Sequence, residues 1–365
     1  MKYIPCLPSL LLAIVGFGVA QAEPIWIAGA GGVYRSELED ESGQLSEPDL
    51  ACAFGSGSFL AIHPELDILY SSYRNDQGLG YASLQAGGAE GEWEVQSFQL
   101  VESGNAHLAV SANGRFLAGA HWGGRSNYVF ELESDGRISG RLIQLEQWGS
   151  GPAHSQEQSR PHWVAFADED KLLHSVDLGS DEIWTYAVGD SVEAISLEHR
   201  VKFPRGTGPR HMALDSGSGL AYVSGELNLA VNTFHYDARS GRFSPLQYIA
   251  TVEDEAASGR NSLSEIQVHE SGRFVYTAVR GLDLMVAFSA DPETGMLTKV
   301  EQQGAGVKWP RNFTISDSGK WLIVAGQHSD ELRVFSIDQN TGELEPTDSR
   351  IEVKAPMCVR AWGRL

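Results

Sequence analysis

Short apolar runs, separated by turns rich in Gly, Ser, Asn and Asp, fill this chain from about residue 25 to residue 362. No segment beyond the first twenty-two residues keeps an apolar face at helical spacing. Runs such as Phe274-Val-Tyr-Thr-Ala and Leu322-Ile-Val-Ala are β-branched and aromatic, which predicts strands. The pattern also repeats. His211-Met-Ala-Leu-Asp-Ser-Gly-Ser-Gly-Leu-Ala-Tyr-Val-Ser, Ile266-Gln-Val-His-Glu-Ser-Gly-Arg-Phe-Val-Tyr-Thr-Ala and Asn312-Phe-Thr-Ile-Ser-Asp-Ser-Gly-Lys-Trp-Leu-Ile-Val-Ala are variants of one hairpin. Each repeat reads as four strands, a to d. The a–b turns carry Asn113-Gly114, Ser218-Gly219, Ser271-Gly272 and Ser318-Gly319. The c–d turns carry Asp135-Gly136, Ser240-Gly241, Thr294-Gly295 and Thr341-Gly342. Such pairs supply the positive φ that tight hairpins require.

Strand a starts near Phe59, His107, His162, His211, Ile266, Asn312 and Cys358, at steps of 48, 55, 49, 55, 46 and 46 residues. A four-strand unit recurring at that interval predicts an all-β, seven-bladed β-propeller with a four-stranded antiparallel sheet in each blade. The last unit has strand a alone, in Pro356-Met-Cys-Val-Arg-Ala-Trp. Its three outer strands must then come from residues 25 to 54, so that both chain ends share one blade and no edge is left open. No linker or shift in composition divides the chain, and residues 23–365 are expected to form one domain.

Residues 1–22 read as an export leader: Lys2, an apolar stretch from Leu7 to Ala20, and Ala20-Gln21-Ala22 as a cleavage site. The apolar stretch falls short of the roughly 20 residues a lone spanning helix needs. Secretion, most simply to a bacterial periplasm, is the expectation, with no membrane association once the leader is removed. A formal charge of −21 argues against nucleic-acid and anionic-membrane partners. Past the leader only Cys52 and Cys358 remain, without metal-ligand spacing, and the sequence leaves open whether they form a disulfide. No cofactor signature and no metal site are present: C-x-x-C-H, a P-loop and G-x-S-x-G are all missing. A monomer is expected.

Strands alternate in direction, so the starts of strand a and the ends of strand b share one face of the disc. Onto it fall His107, His162, Arg210-His211, Glu265, Arg311-Asn312 and Met357-Cys358 from strand a, and His121, Asp177, Glu226, Arg280 and Gln327-His328 from strand b. The opposite face receives only turn residues. Several of these have plain structural readings. Asp177 reads as a loop-turn residue, His121 and His328 as surface, His107 as bonded to a neighbouring blade's carbonyl, and Arg210 as a partner of Glu226. Convergence of two Arg, one Glu and one His from consecutive blades points instead to a polar site at one mouth of the central channel. The long crossovers Leu145–Pro161 and Thr251–Leu263 are expected beside that mouth and more mobile than the a–b turns.

At these residues the chain resembles the lactonase family of seven-bladed propellers, which includes the propeller type of 6-phosphogluconolactonase and the fungal carboxy-muconate lactonising enzymes. The matching stretches are Gly208-Pro-Arg-His-Met-Ala, Gly225-Glu-Leu-Asn, Ser264-Glu-Ile-Gln-Val-His-Glu-Ser-Gly, Val279-Arg-Gly-Leu-Asp and Lys308-Trp-Pro-Arg-Asn-Phe. The resemblance implies a site made of His162, Arg210, Glu226 and Arg280; His211, Glu265, Arg311 and Gln327, which fall on the same face, are the expected substrate contacts beside it. It implies a small-molecule lactone as partner and hydrolysis of a sugar lactone as the activity. Arg cannot yield its proton at accessible pH and suits oxyanion or anion stabilisation, while Glu226 or His162 could take a proton from water. A muconate-type lactonising enzyme, or an exported propeller that only binds a ligand or protein, is the alternative.

Overall fold

The computed structural model describes residues 22–87, 92–215, 217–253 and 260–362. Seven separate four-stranded antiparallel sheets are arranged as blades of a ring. Blade 1 begins with the inner strand Ser56–Ile62, and blades 2 to 6 begin with His107–Val110, Pro161–Ala167, Pro209–Asp215, Ser262–Val268 and Pro310–Ile315. Blade 7 closes the ring as the lone C-terminal strand requires. Its inner strand Cys358–Ala361 pairs with Ala22–Gly29, which pairs with Gly32–Glu39 and then Asp49–Ala53. The turn glycines take the expected conformation, from Gly241 at φ 65° to Gly342 at φ 79°. Only two three-residue 3₁₀ turns, His154–Gln156 and Val192–Ala194, interrupt the strands among the described residues.

The apolar core lies between blades. Phe116, Ala118 and Ala120 of blade 2 pack with Trp184 and Tyr186 of blade 3, and Phe274 and Tyr276 of blade 5 with Phe313, Leu322 and Phe335 of blade 6. Both faces of a middle strand are therefore buried, as in Phe274–Arg280. That explains why these strands read as continuous apolar runs. Tyr70 and Tyr276 cross to the next blade and donate to the carbonyls of Gly136 and Gly342, at 2.7 and 2.9 Å.

Cys52 and Cys358 are both free and buried. The register shows why they cannot join: Cys358 is opposite Ala28, Ala28 opposite Val33, and Val33 opposite Cys52. The two thiols thus sit three strand spacings apart, about 14 Å at ~4.8 Å per spacing. A disulfide needs Cα atoms within about 7 Å.

A recurring device aims the crossovers. Asp181, Asp283 and Asp330 end b–c turns at φ 57°, 54° and 56°, a left-handed conformation that Asp tolerates. Each carboxylate accepts N–H groups from the crossover leading to the next blade: Gly206 and Gly208 on Asp181, Trp309 on Asp283, and Ala355 on Asp330. These bonds set the start of each following inner strand.

Candidate active site

The inner strands do not run evenly into the mouth. In five blades the a–b pairing skips one residue on strand a: between Gly57 and Leu60, Pro161 and Trp163, Pro209 and Met212, Leu263 and Ile266, and Pro310 and Asn312. The residues within those skips include Phe59, His162, Arg210, His211, Glu265 and Arg311. A bulge carries one unpaired residue, which turns a side chain out of the alternating pattern. Here that turn places five of the expected site residues around one axis.

The rings meet in the channel. His211 of blade 4 lies 5.2 Å from His162 and 5.2 Å from His107, measured between ring centroids, and 6.0 Å from Phe59 on the far side. The Arg360 guanidinium from the closing strand covers Phe59 at 4.6 Å. Beside this cluster, Glu226 Oε2 takes ion pairs from Arg210 Nε at 3.1 Å and Arg280 Nη2 at 2.9 Å. Arg280 also donates to the Leu263 carbonyl at 2.9 Å and lies 5.4 Å from the Trp309 ring. Glu226 keeps 20% of its side chain exposed, whereas Arg210 keeps 2%. Arg210 Nη1 and Arg280 Nε are buried without a hydrogen-bond partner, as is Gln327 Oε1. Arg311 lies close enough to Arg280 and Glu226 to feel both charges. Burial first, and Arg280 second, bring its pKa down to about 10.

His162, Arg210, Glu226 and Arg280 are therefore gathered in adjoining blades at one mouth, with Arg311 beside them. The pairing of Arg210 to Glu226 foreseen within blade 4 is present, but Arg280 of blade 5 completes it. His211 and Glu265 are buried beneath the mouth and bonded to each other at 3.0 Å. Asp177 is a turn residue: its carboxylate takes the Ser159 hydroxyl and the amides of Arg160, Gly179 and Ser180. The crossover after blade 2 is anchored by Gln156, which donates to Leu178 O and Asp181 Oδ1. Part of the Thr251–Leu263 crossover, residues 254–259, lies outside the described residues.

One expectation needs correction. His121 is wholly buried rather than at the surface, held between the Tyr81 hydroxyl and the Ser103 hydroxyl. His107 Nδ1 is buried without a hydrogen-bond partner, and its ring packs against Phe59, Trp163 and His211. The sequence-based reading left Asn312 and Arg360 outside the site. Asn312 carried a signal in its position at the mouth end of an inner strand, whereas Arg360, two residues beyond the equivalent Cys358, carried none.

Desolvation dominates the imidazoles. Burial, reinforced by His211 and Arg360 at His107, by Arg210 at His162 and by Arg210 and Arg360 at His211, holds all three well below the ordinary His range. They are neutral at pH 7 and able to accept a proton. Outside the site, burial also brings His121 and His174 down to about 3. The unfolded chain therefore binds protons below about pH 6.5 that the folded chain refuses, and stability is lost as pH falls from there towards the folded values. His174 alone contributes about 3 kcal/mol of this loss by pH 4. Glu23, raised to about 7 by burial, works in the opposite sense and is outweighed by those two histidines. The melting temperature is expected to drop steadily between pH 7 and pH 4. A flat profile over that range would contradict it.

Residues 19–361 match the profile of the lactonase family, described as lactonase, 7-bladed β-propeller. The chain belongs to that family. It is similar to 6-phosphogluconolactonase of Bacillus subtilis, 31% identical over 333 residues that cover 91% of this chain and 95% of the relative. It is similar at 28% to 6-phosphogluconolactonase of Pectobacterium carotovorum, covering 92% of this chain and 93% of the relative. The structure of the periplasmic gluconolactonase of Pseudomonas aeruginosa superposes with a TM-score of 0.86 over 94% of this chain and 99% of that one. At 24% identity that likeness speaks to the fold. Membership makes this lactonase-family propeller an enzyme of the lactone-hydrolase class, resembling 6-phosphogluconolactonase.

Proposed function

We propose that this lactonase-family propeller hydrolyses a sugar lactone after export, and that the mouth formed by Arg210, Glu226, Arg280, His162 and Arg311 is where it does so. The observation that carries the reading is the pair of buried guanidinium N–H groups, Arg210 Nη1 and Arg280 Nε, left without acceptors around one carboxylate. A buried donor without a partner costs about 1–3 kcal/mol. An oxyanion, carboxylate or phosphate arriving at the mouth relieves that cost. Three guanidiniums against the one mouth carboxylate make the opening locally positive within a chain of formal charge −21.

Ring opening proceeds by attack of water on the lactone carbonyl. The water oxygen bonds to carbon, its proton passes to a base, and the carbonyl electron pair moves onto an oxygen facing Arg210 and Arg280. Collapse breaks the ring C–O bond, and the departing alkoxide recovers the proton. Both ion pairs of Glu226 fall on Oε2, which suits it to hold the two arginines in register. His162 is neutral, the form from which a general base must start. The leader-like residues 1–22 support export, hence an aldonolactone without phosphate as the first substrate to try. A pH-indicator assay with plain and phosphorylated aldonolactones tests this. Ring opening well above the rate in buffer is expected. No acceleration for either class sinks the hydrolase reading and leaves the mouth a binding site.

A further inference from the structure

A belt of hydrogen bonds runs beneath the mouth through four consecutive blades. Val359 N, on the closing strand of blade 7, donates to Asn312 Oδ1 of blade 6 at 2.8 Å. Asn312 Nδ2 donates to Glu265 Oε2 of blade 5. Glu265 Oε1 is met by Ile266 N at 3.1 Å and by His211 Nδ1 of blade 4 at 3.0 Å. The direction of the whole belt is set at one end. A backbone N–H can only donate, so Asn312 must present its carbonyl to Val359 and its amide to Glu265. Glu265 then receives N–H groups on both oxygens and serves only as an acceptor, as a carboxylate does. His211 must therefore carry its proton on Nδ1. Its Nε2 is left bare, and that atom is buried without a partner. The ring touches His162, whose Nδ1 is likewise buried and unpartnered.

We propose that the His162–His211 imidazole pair is the proton acceptor of this site, and that Glu265 and Asn312 are positioning residues that fix which nitrogen of His211 is bare. The proposal rests on the lactonase reading above. In the ring-opening step the water proton passes to the imidazole pair as the C–O bond forms, and returns to the alkoxide as the ring C–O bond breaks. The Glu265 carboxylate offsets the positive charge the pair carries in between. The dry surroundings make that compensation necessary: Arg210, Arg360, Arg311 and Arg280 all oppose a proton on His211. The belt also ties the site to ring closure, because its first donor belongs to the strand that seals the propeller.

Selective ¹⁵N-histidine NMR on the full protein reads the tautomer of His211 directly, the signal being assigned by its loss in His211→Asn. The wild type is expected as the Nδ1–H form across pH 6–8. In Glu265→Gln the amide can donate to Nδ1, and the proton is expected to move to Nε2. The same variant is expected to lose roughly 10²-fold or more in kcat, the worth of a general base, with KM changed little. Asn312→Asp is expected to lose kcat too, because it puts a second carboxylate against Glu265. Finding His211 as the Nε2–H form in the wild type overturns the proposal. So does a folded Glu265→Gln that keeps kcat within about threefold. A wild type that opens no lactone sinks the hydrolase reading instead, and leaves the tautomer to judge the hydrogen-bond belt.

Discussion

A chain ending at Lys354 is expected not to form the propeller. The deleted strand, Cys358–Ala361, is the inner strand of blade 7 and pairs Ile25, Trp26, Ile27 and Ala28 with Ala361, Arg360, Val359 and Cys358. Cys358 packs with Phe59 and Leu60 of blade 1, and Val359 with Ile323 and Ala325 of blade 6. Losing the strand strips apolar cover from both neighbours. With ~1.5–3 kcal/mol for each fully buried aliphatic side chain, the loss reaches about 5 kcal/mol before backbone bonds are counted. Whole domains hold only ~5–15 kcal/mol of net stability. The milder Val359→Ala, which keeps the backbone pairing, is expected to cost on the order of 2 kcal/mol. Circular dichroism melts of the two forms test this. A truncated chain that melts cooperatively within a few degrees of the full one would show that the seam is not what holds the ring.

The second large effect separates activity from stability. Arg210→Met is expected to remove about 10²–10³-fold from the rate of lactone opening, the worth of one oxyanion donor. Its effect on the melting temperature is expected to be small or favourable, since an apolar side chain of similar length replaces a buried charge. Glu226→Gln goes the other way in stability. It leaves Arg210 and Arg280, both buried, facing each other without the carboxylate that joins them. Removing one partner of a fully buried pair costs about 3–5 kcal/mol, and the partial exposure of Glu226 reduces this to roughly 1–3 kcal/mol. Its turnover is expected to fall as well, because the two guanidiniums lose their common anchor. Equal melting temperatures for the two variants, or an Arg210→Met enzyme as fast as the wild type, would contradict this account of the mouth.

Much of the ring could be read from residues alone, because each strand and turn is set by its own few amino acids. Gly219, Gly272 and Gly319 take the left-handed conformation their hairpins demand. The unpartnered strand at Cys358–Ala361 announced that both ends share a blade, since an isolated inner strand has nothing else to pair with. The mouth face followed from strand direction, and with it the gathering of Arg210, Glu226, Arg280 and His162. His121 escaped because its position after an apolar run gives no hint that Tyr81, forty residues earlier, lies against it.

What the sequence determines here is therefore periodic and local: four strands per unit, seven units, one closing blade and one polar mouth. Tertiary structure decides which mouth residues face the channel and which lie beneath it. The one-residue bulges at His162, Arg210-His211, Glu265 and Arg311 leave no mark in the alternation of apolar and polar positions, yet they turn those side chains toward the axis. The bonds that follow between blades, Arg280 on Glu226 and His211 on Glu265, each join residues 54 positions apart. Such pairs form only once the ring brings neighbouring blades together, and burial between blades is what sets their charge and tautomer.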